Sequence, residues 1–232
     1  MPVLAPMDVP EATELTQLAF HLAATWRSPV LVFGDYYLAH TSSSVAVEPR
    51  TFAGTPVDDW SLDGSTSGTG RARLLSPLGT TKRNERGGYD LAQHYTNCAE
   101  HTEAMLAGIE PMVETAHTDD ADVVVVAFGT PAKYVRATVA RLRAEGARVG
   151  FVRPISLLPF PSEAVARAAA GARAVAVYEN NTGQMVDDVR LALEGSVPVQ
   201  FIGRLSLDGS GFGIAPDLDS SYLRERIQEV LA

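Results

Sequence analysis

Apolar positions change period along the chain, and each change predicts an element. After Asp8, the residues Leu15, Leu18, Ala19, Leu22 and Trp26 recur every three or four positions, which predicts a helix with one buried stripe. Asp8 stands at its start with Pro10 and Glu11 in the first turn, and Asp8-x-x-Glu11 has capping-box spacing. Residues 2–6, short and apolar, read as a strand before it. Ser28-Pro29 stops the helix, because a residue preceding proline avoids the α region. Val30, Leu31, Val32 and Phe33 then form an unbroken apolar run, the pattern of a parallel strand covered on both faces.

From His40 to Gly88 periodicity disappears, and the composition turns to Ser, Thr, Gly, Pro and Arg. So long a span without elements signals a functional loop, a partner-contacting arm or disorder. Residues 89–114 read as a helix with Ala92, Tyr95, Ala99, Met105 and Leu106 inward, and the polar residues 115–121 as a linker. Beyond Asp122 the rhythm is regular. Strands are expected at 123–128, 148–152, 174–178 and 197–202. Helices are expected after Thr130-Pro131 (Ala132, Val135, Val139 and Leu142 inward, closed by Gly146), after Ser162 as cap, over 183–194 and over 221–231, with the proline-rich stretch 154–161 as a connector.

Alternation of strands with helices of this length implies an α/β fold whose parallel sheet carries helices on its faces. Two units are expected: 1–115, containing the long loop at 40–88, and 121–232. The first is incomplete, because two strands and one helix do not bury both faces of a parallel sheet and two-stranded units are marginal in water. The loop region, a second copy or another polypeptide must complete it.

Charge and cysteine content narrow the function. A formal charge of -9 argues against a nucleic-acid surface. One cysteine, Cys98, excludes an internal disulfide and an iron–sulfur cluster held by this chain alone. His94 and His101 lie two helical turns apart with no carboxylate placed as a third ligand, the pattern of a solvated face, so no metal site is expected. No basic-then-apolar leader or run of 18 apolar residues is present, which makes the cytoplasm the default compartment and leaves no membrane partner.

In open parallel sheets ligands bind beyond the carboxyl ends of strands. Three such ends carry candidate cofactor-binding or interface residues: Asp35 and Tyr36; Gly129 and Thr130; and Glu179, Asn180, Asn181, Gly183 and Gln184. The last run reads either as a ligand contact or as a helix turn capped by Asn181 or Thr182, and Asp35 as a carboxylate satisfied by a neighbouring helix N-terminus or as chemistry. No catalytic residue stands out: dinucleotide, P-loop and nucleophile-elbow motifs are absent. The glycine-rich stretches 64–70 and 209–213 read as linkers.

Residues 3–38, VLAPMDVPEATELTQLAFHLAATWRSPVLVFGDYYL, resemble the later half of the pyrimidine-binding domain of the 2-oxoacid:ferredoxin oxidoreductase alpha subunit. Residues 122–203 are similar to the following, transketolase C-terminal-like domain, through ADVVVVAFGT, RLRAEGARVGFVRPISLLPFP, YENNTGQMVDDVRLALEG and VQFIGR, with the 2-oxoisovalerate branch closest. The resemblance leaves out residues 41–88. It implies oxidative decarboxylation of a 2-oxoacid to an acyl-CoA, with thiamine diphosphate and Mg2+ held mainly by partner chains and coenzyme A as co-substrate. The family's pyrimidine-site glutamate and its substrate-gripping threonine and arginine precede the first strand here. The implied partners are therefore a chain supplying that segment, a thiamine-binding beta subunit, and an iron–sulfur subunit or ferredoxin. A separate gene for the missing half, or a shortened paralogue, accounts for the chain; a transketolase-like or 2-oxoacid dehydrogenase E1 beta-type component, or a non-catalytic scaffold, is the alternative.

Overall fold

The computed structural model describes residues 1–53, 91–205 and 218–232, the side chains of 91–94 excepted. The chain opens with β1 (Val3–Leu4) and α1 (Val9–Trp26). Asp8 caps α1 by accepting the Glu11 N–H at 3.1 Å. Glu11 reaches back one residue further than the capping box anticipates, accepting the Met7 N–H at 2.8 Å. Arg27 ends the helix in the left-handed region before Ser28-Pro29.

β2 (Leu31–Val32) lies parallel to β1, pairing Val3 with Leu31 and Leu4 with Val32. Pleating sends Val30 and Val32 towards α1, where they pack with Leu4, Leu15 and Ala19. The opposite face corrects the expectation of a strand covered on both sides: Leu31 is 40% and Phe33 45% exposed. A single turn, α2 (Tyr36–Ala39), follows with Asp35 as its cap.

α3 (Leu91–Gly108) is shorter than the helix expected through residue 114. Met105 is buried and Leu106 half-buried, whereas Tyr95 and Ala99 are exposed, so among the described residues the C-terminal end of α3 is the part that reaches the core. Residues 113–116 form a strand, β3 (Val113–Ala116), where part of a linker was expected. Its Glu114 is drawn inward by arginines, which hides the strand from a reading of apolar positions alone.

Beyond Asp122 strands and helices follow the expected order, β6 excepted. β4 (Val123–Val126), α4 (Gly129–Ala144), β5 (Val149–Pro154), β6 (Ser156–Leu158), α5 (Ser162–Ala169), β7 (Ala174–Val177), α6 (Met185–Leu193), β8 (Val199–Phe201) and α7 (Ser220–Leu231) succeed one another. Five strands make one sheet in the order β3-β5-β4-β7-β8, parallel except for β3. Alternate residues of β4 face opposite cores. Val123 and Val125 pack with Ala132, Val135, Val139 and Leu142 of α4 and Leu223 and Ile227 of α7. Val124 and Val126 pack with Val165 of α5 and Val186, Val189 and Leu193 of α6. The sheet is thus wound on both faces. α5 starts one residue earlier than a Ser162 cap requires: Pro161 holds the cap position and no side chain caps it.

The connector expected at 154–161 contains β6, which prolines on either side conceal in the sequence. β6 runs antiparallel to β1 and completes a sheet β2-β1-β6. The second unit therefore supplies a strand to the first. At the junction Arg153, 3% exposed, donates from both terminal nitrogens to Glu11 at 2.8 Å and from Nε to Glu114 at 2.7 Å. Arg136 adds a bond to Glu114 at 3.0 Å. Burial pushes the Glu114 carboxyl up, but the hydrogen bonds from Arg153 and Arg136 outweigh it and hold the group below its ordinary value.

Truncation of a buried charged partner leaves its counter-charges unpaired, so Arg153→Ala is expected to cost about 3 kcal/mol in urea unfolding. A depressed folded-state pKa at Glu114 contributes stability that is present above the unfolded value and lost as pH falls through the folded one. Wild-type stability should therefore decline on acidification below about pH 4.5, with a shallower decline in Arg153→Ala.

Candidate functional site

The three expected strand ends converge at the carboxyl side of the five-stranded sheet. β4 leads into α4 on one face and β7 into α6 on the other, so the strand order reverses between them. That reversal opens the crevice in which open α/β sheets bind ligands. Phe33 and Asp35, at the end of β2, lie against it from the front unit.

Asp35 joins the units. Its Oδ1 accepts the Leu38 N–H at 2.9 Å and the Thr130 hydroxyl at 2.9 Å, and its Oδ2 accepts the Thr130 N–H at 3.1 Å. One carboxylate thus caps α2 and supplies negative charge to the first turn of α4. Gly129 reaches that turn with φ 62°, a conformation in which side chains are strained. Of the two readings open for Asp35, the arrangement is that of a carboxylate satisfied by a helix N-terminus. Tyr36 stacks on His40 with ring centroids 4.1 Å apart.

Glu179 is 2% exposed and accepts N–H groups from Gln184 at 3.3 Å, Met185 at 3.0 Å and Val186 at 3.0 Å. It also accepts the Asn181 amide at 3.1 Å. α6 is therefore capped by a carboxylate at the end of the preceding strand, where the sequence pointed to Asn181 or Thr182. Asn181 instead accepts the Gly183 N–H at 2.7 Å, closing the turn in which Gly183 has φ 93°.

Asn180 differs from its neighbours. Both side-chain amide atoms are shut off from solvent and have no hydrogen-bond partner among the described residues. It lines a cleft of about 190 Å³ whose walls include Phe33, Phe128, Tyr37, Tyr178 and Pro131. The Phe33 and Phe128 rings stack across the boundary between units, with centroids 6.2 Å apart. Sequence reasoning missed these aromatic residues. The visible signal was an aromatic residue beside each candidate at a strand end, namely Phe33, Phe128 and Tyr178.

A larger groove of about 430 Å³ lies on the other side of Thr130, between α2 and the outer face of α4, with Asp8, Tyr37, Lys133 and Arg141 on its walls. Among the described residues no three His, Cys, Asp or Glu side chains gather to hold a metal ion. His101 packs edge-on to Trp26 on the surface, and Cys98 is exposed. The stretches 64–70 and 209–213 and the His94 side chain lie outside the described residues.

Comparison with known proteins places these features. Residues 121–213 match the family model of pyruvate:ferredoxin oxidoreductase core domain II. Over 203 residues the chain is 32% identical to ketoisovalerate oxidoreductase subunit VorB of Methanothermobacter thermautotrophicus, covering 88% of this chain and 55% of that one. It is 30% identical over 187 residues to 2-oxoglutarate synthase subunit KorA of Archaeoglobus fulgidus, covering 81% and 52%. The fold matches a 2-oxoglutarate:ferredoxin oxidoreductase from Magnetococcus marinus, solved with 2-oxoglutarate, coenzyme A and succinyl-CoA bound, with a TM-score of 0.68 at 21% identity. That match covers 100% of this chain and 42% of the other. The chain spans about half the length of the curated relatives it matches.

Glu179→Ala leaves the buried N–H groups of Met185 and Val186, and that of Gln184 at the cap position, without this acceptor and should lower stability by about 3 kcal/mol in urea unfolding. Asp35→Ala, removing a partly exposed cap, should lower it by about 1–2 kcal/mol in the same measurement.

Proposed function

We propose that this chain is one component of a thiamine-diphosphate-dependent 2-oxoacid:ferredoxin oxidoreductase, a reading supported by its similarity to 2-oxoacid oxidoreductase subunits about half of whose length it spans. The assembly carries out oxidative decarboxylation of a 2-oxoacid to an acyl-CoA, and this chain acts only with partner chains. In this reading residues 1–115 are part of a pyrimidine-binding domain and residues 121–232 are the transketolase C-terminal-like domain.

The observation that carries the reading is the unfinished front sheet. The outer edge of β2 is unpaired among the described residues, and Leu31, Phe33 and Leu158 stand 40%, 45% and 39% exposed on the front unit. A parallel pair in a sheet of this kind is normally buried on both faces. A chain supplying the pyrimidine-site segment is the partner proposed for that edge and face. A beta subunit is proposed to hold the diphosphate, and an iron–sulfur subunit or ferredoxin to take the electrons.

The described residues do not fit a Mg2+–diphosphate site, since no carboxylate cluster is assembled. No step is therefore assigned to the cofactor on this chain. Coenzyme A is carried over as co-substrate on the strength of the Magnetococcus marinus structure, which was solved with it bound. A cytoplasmic location is proposed; no described helix is long and apolar enough to cross a membrane.

Co-expression with the products of neighbouring genes, intact-complex mass spectrometry and a 2-oxoacid screen with a low-potential electron acceptor test the assignment. The expected result is a heteromeric complex that reduces the acceptor in the presence of coenzyme A, while the isolated chain is inactive. A stable monomer that binds thiamine diphosphate tightly by itself would refute it. Leu31→Arg should abolish co-purification while changing the stability of the isolated chain by no more than about 0.5 kcal/mol, as expected for an exposed position.

A further inference from the structure

We propose that the groove between α2 and the outward face of α4 is a docking surface for an extended, acidic segment of a partner polypeptide, with two carboxylates four residues apart. The cations come from α4. Of the basic side chains on that helix, Arg136 holds Glu114 and Arg143 holds Asp120. Lys133 and Arg141 hold no carboxylate and have no other partner among the described residues. Both are exposed, and both line the same groove. The carboxylate on its walls, Asp8, is already committed as the cap of α1, accepting the Glu11 N–H at 3.1 Å. Two cations against one carboxylate invert the sign of a chain whose formal charge is -9, which favours an anionic occupant.

Thr138 adds an independent sign of a ligand. It is 5% exposed and lines the groove one turn before Arg141, yet its hydroxyl has no hydrogen-bond partner among the described residues. Thr13, Thr16 and Thr102, on other helices, return their hydroxyls to the carbonyl four residues back. A nearly buried hydroxyl left unmet beside an unmet guanidinium offers two donors to one carboxylate.

Spacing selects the form of the occupant. Lys133, Ala137 and Arg141 follow every fourth residue along one helix face, so the cations stand about 12 Å apart along the axis at about 1.5 Å per residue. An extended chain rises about 3.3 Å per residue and turns alternate side chains to one side, so acidic residues at its first and fifth positions span about 13 Å. The third residue between them meets Ala137 and the exposed Tyr134 ring, with Tyr37 and Leu38 across the groove. An apolar or aromatic side chain suits that place. A docked helix, about 10–12 Å across, needs more room over that length than about 430 Å³.

The probe is the blocked peptide Ser-Glu-Ala-Phe-Ala-Glu-Ser, titrated into the full chain and followed by amide chemical shifts in two-dimensional NMR. Saturable shifts are expected along residues 133–141 and at Tyr37 and Leu38. Glutamine in place of both glutamates should weaken binding about fivefold or more, as should the double variant Lys133→Gln with Arg141→Gln. Raising sodium chloride to about 0.5 M should act in the same direction. Both substituted side chains are exposed, so the thermal midpoint should stay where it is. Thr138→Val, which deletes an unmet hydroxyl from a side chain of similar shape, should keep the fold and weaken the acidic peptide but not its glutamine form. An acidic peptide no tighter than the glutamine form, a double variant with unchanged affinity, or no saturable shift would each overturn the inference. So would glutarate or inorganic phosphate binding as tightly as the peptide, which would make the groove a site for small anions. No cofactor, substrate or partner subunit is required, so the test can fail independently of the assignment above.

Discussion

Arg153 sits where the two sheets meet, and each nitrogen of its guanidinium donates to a carboxylate, two of them across that seam and one to the neighbouring strand of its own sheet. Both terminal nitrogens hold Glu11 at the start of α1, and Nε holds Glu114 on β3. A planar fork suits this role better than a lysine ammonium, because two parallel bonds fix the angle of α1 as well as its distance. Glu11 is also bonded to the Met7 N–H, so the same carboxylate sets the turn between β1 and α1. The front unit depends on this seam because its own core is small: Leu4, Leu15 and Ala19 are the buried residues of its cluster. A layer of that size gains too little from apolar burial to stand alone. Strand β6 and the hydrogen bonds that Thr130 donates to Asp35 reinforce the junction from two other directions.

Period and punctuation were enough to read the second unit. Val135, Val139 and Leu142 share a helical face, and Val123, Val124, Val125 and Val126 form an unbroken run, so sheet and helix alternate visibly. What escaped was held by pairing instead of by pattern. β3 carries Glu114 in a position that arginines make favourable, and β6 is a three-residue strand between prolines whose partner lies about 150 residues away in sequence. The buried face of α3 was misjudged for a related reason: Tyr95 and Ala99 have helical spacing but face solvent, so periodicity proposed a burial that no packing element supplies among the described residues.

The candidate site was legible as places and only partly as roles. All three strand ends lie around one crevice: those of β4 and β7 because loops at the carboxyl edge of a parallel sheet share a side, and that of β2, in the other sheet, because the seam brings it there. Roles within it required distances. Asp35 and Glu179 look alike in sequence, as carboxylates just past apolar strands, and both prove to satisfy helix N-termini, one across units and one within its own loop. The aromatic walls were invisible as a group, since Phe33 and Phe128 are distant in sequence and meet only once the seam is formed. Asn180 separates from Asn181 only when partners are counted: Asn181 closes a turn, and Asn180 does not.

The asymmetry of the front sheet follows from the way the seam is built. α1 approaches β1 and β2 from one side and is pinned there by Arg153, so it cannot also cover Leu31 and Phe33 on the reverse face. The five-stranded sheet needs no such help: helices cover both of its faces, and β4 and β7 are wholly buried. A sheet with one finished and one bare face, joined to a unit that is finished on both, is the form expected when a domain boundary falls within a layer instead of between layers.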